Sequence, residues 1–353
     1  MQAFVYQALS QRVVFGFGTL ASVGAELAAL GVSRALLLST PQQRASAEAL
    51  AAQLGAVVVG IFSEAAMHTP TAVTEQALAQ VAALRVDGVI ALGGGSTTGL
   101  GKAIAFRTDL PQLVIPTSYA GSEATPILGE TANGAKTTRR DLKILPEVIV
   151  YDVALTLTLP AAMTVTSGMN AIAHAVEALY TQERNPIISL LAQQGIAALV
   201  RALPVLRADG ADRDGRSDAL FGAWACGTCL GAVGMALHHK LCHVLGGSFD
   251  LPHAETHTVI LPHATAYNER AVPELLAPVA AALGAARAGS GLWDFAQRLE
   301  APLTLASLGM QQGDLDRAAE LICANPYWNP QPIVRDEIRQ LLDAAYFGRR
   351  PAD

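Results

Sequence analysis

The sequence predicts an α/β N-terminal domain built on a parallel sheet, followed by an all-helical C-terminal domain. Three features carry this. Short aliphatic runs alternate with Ala-rich helical stretches up to about residue 151; Gly-containing turns follow several of those runs; and beyond residue 159 the texture changes to long Ala/Leu-rich segments of helical period. Alternation of strand and helix is the pattern of parallel strands joined by crossover helices. At 353 residues the chain exceeds what one hydrophobic core usually fills. Two domains are therefore expected, 1–155 and 156–353, with a functional cleft between them and a packed junction, because no repeat, low-complexity tract or Gly/Ser linker intervenes.

Taken in order, residues 35–39 (Ala-Leu-Leu-Leu-Ser) read as a strand, 43–54 as a helix, 57–62 as a strand, 71–84 as a helix and 88–92 as a strand. Residues 113–116 and 148–151 read as two more strands, and 187–205 and 273–288 as long helices of the second domain.

Hydrophobic residues make up 51% of the chain and charged residues 15%, which suits a large buried interior and buried subunit contacts. A net charge of -6, with no Lys/Arg run beyond the pairs Arg139-Arg140 and Arg349-Arg350, excludes a broad nucleic-acid surface. The opening residues 1–6 lack the basic and apolar regions of a secretory signal, and no uninterrupted apolar segment is expected to span a bilayer, so a cytoplasmic protein is expected. Four cysteines are too few for a disulfide framework. Cys226 and Cys229 form a C-x-x-C in an apolar stretch and are expected to be helix packing rather than redox or zinc chemistry.

The strongest local motif is Gly93-Gly94-Gly95-Ser96, which follows the strand at 88–92 and opens into a helical stretch beginning near Lys102. Glycines let backbone N–H groups approach a phosphate, and a helix N-terminus favours its charge, so this loop is expected to hold a pyrophosphate. A second turn at 116–123, including Thr117 and Ser118, and a third at 14–20 would crowd the same carboxyl edge of the sheet. Ser39 stands where an acidic residue often binds an adenosine ribose, so both NADH and NADPH are expected to be accepted. Asp152 reads equally as a cofactor acid or as a cap at the domain junction.

Seven of the eight histidines lie between residues 174 and 263. Asn170 and His174 are four apart, His239 and His243 repeat that spacing, and His253 follows ten residues later; helical spacing puts each pair on one face. Three imidazoles beside a carboxylate would suit a divalent metal, but Asn170 is neutral and offers an amide oxygen. His68, His238, His257 and His263 are taken as structural or surface residues, His238 facing away from the side that carries His239.

With Gly93–Ser96, the 116–123 turn (Pro-Thr-Ser-Tyr-Ala-Gly-Ser-Glu), the Asn170/His174 pair and the His239/His243/His253 set in order, the chain resembles the iron-containing alcohol dehydrogenase superfamily over nearly its whole length. The resemblance implies that the metal ligands map to Asn170, His174, His239 and His253, and that His243 matches an additional histidine implicated in proton transfer. Asn at 170, Gly99 in place of an Asp, the stretch 142–147 (Leu-Lys-Ile-Leu-Pro-Glu) and the motif 325–330 (Asn-Pro-Tyr-Trp-Asn-Pro) resemble the maleylacetate reductases. That family reduces the carbon-carbon double bond of 2-maleylacetate to 3-oxoadipate in bacterial breakdown of aromatic compounds, with NADH or NADPH. The resemblance implies His243, His253, His174 and His239 as catalytic residues. Asn170, these four histidines and Tyr327 then form the surface for a dicarboxylate substrate, in a homodimer that needs no metal. The alternatives are a metal-dependent alcohol or polyol dehydrogenase and, in another class, a non-catalytic NAD(P)H-binding sensor.

Overall fold

A computed structural model describes residues 3–132 and 135–352, so Met1 and Gln2 of the opening stretch lie outside it. The chain forms two compact units. One runs from Leu9 to Leu159, apart from the undescribed residues 133–134; the other takes in residues 160–352 and also residues 3–8. The junction falls after residue 155 because Val153–Thr156 is a short 3-10 turn attached to the last strand of the sheet, and the next helix opens behind Pro160.

In the first unit the strands β1 (Arg12–Gly16), β2 (Ala35–Leu38), β3 (Val58–Phe62), β4 (Gly88–Gly93) and β5 (Gln112–Pro116) join a parallel sheet with β8 (Val148–Asp152), in the order β1-β8-β5-β4-β2-β3. A separate antiparallel pair, β6 (Ile127–Ala132) with β7 (Ala135–Arg140), was not expected. The helices are α1 (Val23–Ala29), α2 (Arg44–Leu54), α3 (Thr71–Leu84) and α4 (Gly95–Thr108). Both sheet faces are covered, which is why β2 is apolar at every position. Ala35 and Leu37 pack with Val23, Leu27, Ala47 and Leu50 on one side; Leu36 and Leu38 pack with Ala77, Val81, Leu100 and Ile104 on the other.

The 14–20 turn differs from its expectation. Val14 to Gly16 belong to the edge strand β1, which pairs with β8. Asp152 is a structural cap: Oδ1 accepts from Gly18 N and Ala154 N at 3.0 Å each, and Oδ2 accepts from Leu20 N at 2.9 Å. Both of its carboxylate oxygens are engaged by backbone N–H groups.

The second unit is helical among its described residues: α5 (Ala161–Ala178), α6 (Pro186–Ala208), α7 (Arg213–Ala232), α8 (Leu237–Phe249), α9 (His253–Glu269), α10 (Pro273–Leu283), α11 (Ala288–Arg298), α12 (Leu315–Ala324) and α13 (Arg335–Phe347). The single helix expected over 273–288 is instead two. α10 stops at Gly284, whose φ of 64° is left-handed, and α11 restarts with Ala288 N donating to Glu269 Oε1 at 2.8 Å.

α6 and α7 approach closely at Gly222, where a Cβ would meet Leu199 Cγ at 2.7 Å. Cys226 and Cys229 are buried and free in this packing, and burial pushes the Cys229 thiol up to about 12. By length and composition two stretches could cross a membrane, Pro186–Ala208 (mean hydropathy 1.4) and Pro273–Arg298 (mean hydropathy 1.3), though polar and charged residues interrupt both, Gln193, Gln194 and Arg201 in the first and Arg287 and Asp294 in the second. The second is the α10–α11 pair. The first packs against α5 and α7, while its Arg201 and Arg207 make exposed ion pairs with Asp218 and Glu300.

Candidate active site

The sheet unit gathers the expected cofactor residues at one edge. β2 pairs with β4 and β4 with β5, so the chain leaves three adjacent strands at Ser39, Gly93 and Thr117. The strand order reverses between β2, which leads outward to β3, and β4, which leads to β5 on the other side. Open parallel sheets bind ligands at such a switch point. Gly93 has φ 154°, a conformation that an L side chain rarely adopts. Gly94 is the N-cap of α4, which has no side-chain cap and no acidic residue in its first turn, so no carboxylate on that turn offsets the positive end of the helix. The second turn lies against this loop: Thr117 N donates to Gly93 O at 3.1 Å, Gln43 Nε2 donates to Thr117 Oγ1 at 2.8 Å, and a Cβ on Gly94 would come within 2.8 Å of Ser118 Oγ. Ser39 is fully buried and bonds Ser63 Oγ at 2.9 Å, so its hydroxyl braces the strand ends.

Lys102, read from the sequence only as the end of the glycine motif, anchors the second turn. Its buried Nζ donates to Ser122 O at 2.5 Å, Ile127 O at 2.8 Å and Thr125 Oγ1 at 3.0 Å. Burial pulls its pKa down to about 7, against the opposing charge of Glu123.

The helical unit brings the histidines together. Asn170, His174 and Glu177 lie at spacings of four and three on α5, hence on one face. His174 Nδ1 is 3.0 Å from His239 Nε2 on α8. His243, one turn further along α8, has its ring 6.0 Å from that of His239, and its Nδ1 is 3.1 Å from Tyr327 Oη. His253 opens α9, with its ring 4.4 Å from that of His257. All the expected helical-unit residues thus belong to one cluster, with His243 and His253 half-buried and His174 and His239 buried.

Three members were missed. His238 and His257, taken as structural, are part of the cluster: His238 Nε2 lies 2.9 Å from His257 Nδ1, and the His257 ring sits 5.2 Å from that of His239. His238 does point to a different neighbour from His239, but that neighbour is itself packed on His239. Desolvation first, and then the neighbouring histidines, hold both well below the usual imidazole range, so they are neutral. The third is Glu177, 1% exposed. It accepts from His239 Nδ1 at 2.5 Å and from the backbone N–H groups of His238 at 2.7 Å and Ala236 at 2.9 Å. Its sequence signal is a position three residues after His174 on the same helical face.

The chain's similarities to known proteins agree with this arrangement. Residues 10–153 match the family model for iron-containing alcohol dehydrogenase, and residues 164–346 match the C-terminal model of the Fe-containing alcohol dehydrogenase family. The chain belongs to that family and is an oxidoreductase. It is 60% identical over 351 residues to a maleylacetate reductase of Rhizobium sp. (strain MTP-10005), covering 99% of this chain and 100% of that protein. A maleylacetate reductase of Burkholderia cepacia is 53% identical, with 100% of both chains covered. The crystal structure of maleylacetate reductase from Agrobacterium tumefaciens superposes with a TM-score of 0.96 at 61% identity, over 99% of this chain and 100% of that one. Within the family, the chain is a member of the maleylacetate reductases.

Proposed function

We propose that this oxidoreductase uses NADH or NADPH to reduce the carbon-carbon double bond of 2-maleylacetate, giving 3-oxoadipate. The observation that carries the reading is the 60% identity to a named maleylacetate reductase along the whole chain. It is supported by a buried histidine cluster with Asn170 where a carboxylate would complete a metal site.

The substrate's double bond is conjugated to a ketone and lies between two carboxylates. Bound at the glycine loop, reduced nicotinamide would supply a hydride, and the alkene carbon β to the ketone is the position that accepts one. The displaced electron pair collects on the ketone oxygen as an enolate, which imidazole N–H donors stabilise. The α carbon then takes a proton, so the balance is NAD(P)H, a proton and maleylacetate in, NAD(P)⁺ and 3-oxoadipate out. His243 and His253 are assigned to that protonation and to holding the substrate, because they are the half-buried members of the cluster. Tyr327 Oη, 3.1 Å from His243 Nδ1, orients the first ring. In the sheet unit, Gly93, Gly94, Gly95, Ser96, Thr117 and Ser118 are assigned to the cofactor, with Ser39 supporting them from behind.

Asn170, His174, His239 and His253 are the residues that would hold a divalent cation, and Asn170 Oδ1 is buried with no hydrogen-bond partner among the described residues. As they stand they do not fit one, since both ring nitrogens of His239 are engaged, Nδ1 by Glu177 and Nε2 by His174, and the closely grouped metal-ligand types among the described residues are His238, Cys242 and His257. None of the four is a carboxylate either, and Glu177 is engaged by His239 and the start of α8. With no anion among its ligands the site holds a cation weakly, and turnover is assigned to the imidazoles alone. The reading extends to a cytoplasmic homodimer, supported by four free cysteines and by the edge strand β1 with its exposed Phe15.

The test follows loss of reduced nicotinamide with freshly prepared maleylacetate, before and after chelation. Turnover of maleylacetate that survives chelation is expected, with little activity on ethanol, propanediol or glycerol. Robust oxidation of a simple alcohol without maleylacetate turnover would overturn the substrate. Activity lost to the chelator and restored by a stoichiometric metal would overturn metal independence.

A further inference from the structure

The histidines do not set their own proton positions. A neutral imidazole carries its hydrogen on either nitrogen, and the bond made by one nitrogen decides what the other can do. For His239 that decision falls to Glu177. The carboxylate of Glu177 accepts hydrogen bonds and cannot donate them, and its Oε2 lies 2.5 Å from His239 Nδ1. His239 must then carry its hydrogen on Nδ1 and present Nε2 as an acceptor. The atom facing that Nε2 is His174 Nδ1, at 3.0 Å, so it is the donor, and the unprotonated nitrogen of a neutral His174 is Nε2.

We propose that Glu177 is the positioning residue of the site: it fixes His239 as the Nδ1–H tautomer and thereby orients a hydrogen-bond chain running from His174 to His239 to Glu177. The inference rests on the reductase reading for its catalytic consequence, but the tautomer is a property of the protein alone.

A second observation joins the chain to the backbone. α8 starts without a side-chain cap of its own. Glu177, reaching from α5, accepts from Ala236 N, His238 N and, at 3.4 Å, His239 N. A carboxylate there satisfies N–H groups that lack intrahelical partners and complements the helix dipole. One side chain therefore fixes where α8 begins, how the His239 ring is turned, and which of its nitrogens is bare. His239 and His174 are 2% and 4% exposed, so water does not rearrange these protons.

The experiment is ¹⁵N NMR of protein labelled at histidine, with the His239 resonances assigned by their loss in His239→Gln, alongside steady-state kinetics. In the unaltered protein His239 Nδ1 is expected to be protonated and Nε2 bare. In Glu177→Gln the amide can turn its NH₂ to the ring, and His239 is expected to switch to the Nε2–H form. kcat for maleylacetate should fall on the order of 10²-fold, while KM for NADH stays within about twofold, and Glu177→Asp should restore the Nδ1–H form and part of kcat. A protonated Nε2 in the unaltered protein overturns the proposal even if every variant fails to fold. An unchanged tautomer with near-normal kcat in folded Glu177→Gln overturns it as well. Absence of maleylacetate turnover in the unaltered protein would count against the reductase reading alone, because the tautomer is read without substrate.

Discussion

At the residue scale, the cluster separates side chains that can reach a substrate from those that hold the ones that do. His243 and His253 are half-buried, whereas His238 and His257 are enclosed, bonded to each other at 2.9 Å and kept neutral by burial. His243→Ala and His253→Ala are therefore expected to lower kcat by roughly 10²–10⁴-fold, the usual cost of removing a positioned acid or base. His238→Gln should act chiefly on stability, since it disturbs a buried pair. Measuring kcat together with the melting temperature for the three variants checks this; near-normal kcat in both alanine variants, with His238→Gln the more damaging, would reverse the assignment. The sequence made Asn170, His174, His239, His243 and His253 legible because spacings of four on a helix share a face. It concealed Glu177, His238 and His257 as partners, because their role depends on α5, α8 and α9 meeting, and nothing in a one-helix period encodes a contact between helices.

At the element scale, strands covered on both faces were readable as continuous aliphatic runs, and β2, β4, β5 and β8 fall where those runs are. β1 was not, because Arg12 and the glycines around Phe17 hide an edge strand inside what reads as a turn. The β6–β7 pair is polar and Thr-rich, with only the Asn-Gly dipeptide at 133–134 as a hairpin signal. Lys102 reaches the start of that pair at Ile127. Its ammonium ties α4 to the turn that lies against the glycine loop, through Ser122, Thr125 and Ile127. Lys102→Met has nearly the same length but no donors; Ser122 O keeps its bonds from Thr125 N and Oγ1, so what is lost is the tie between α4 and this turn, at roughly 1 kcal/mol per hydrogen bond. The expected result is a KM for NADH raised about tenfold, with kcat changed much less, since the second turn loosens from Gly94 while the histidines are untouched. Equal KM values in the variant and the unaltered protein would separate this turn from cofactor binding.

At the scale of the whole molecule, the same burial that keeps three histidines neutral makes stability depend on acid. His238 and His257 lie well below the ordinary imidazole value of 6.5, and desolvation brings His263 down to about 4. In the unfolded chain each returns to near 6.5. Between about pH 6.5 and 4 the unfolded chain therefore binds more protons than the folded one, so stability is full above 6.5 and is lost as the pH falls. From pH 7.5 to 5.5 each such histidine withdraws about 1.4 kcal/mol, or about 4 kcal/mol for the three together. His263 offers the clean test, since it lies outside the cluster and its Nε2 has no hydrogen-bond partner among the described residues. His263→Phe removes one titrating group without breaking a bonded pair. Urea midpoints measured at pH 7.5 and 5.5 should show a smaller acid loss for this variant, by about 1.4 kcal/mol. An acid loss identical in the two proteins would mean that His263 keeps its ordinary proton affinity in the fold.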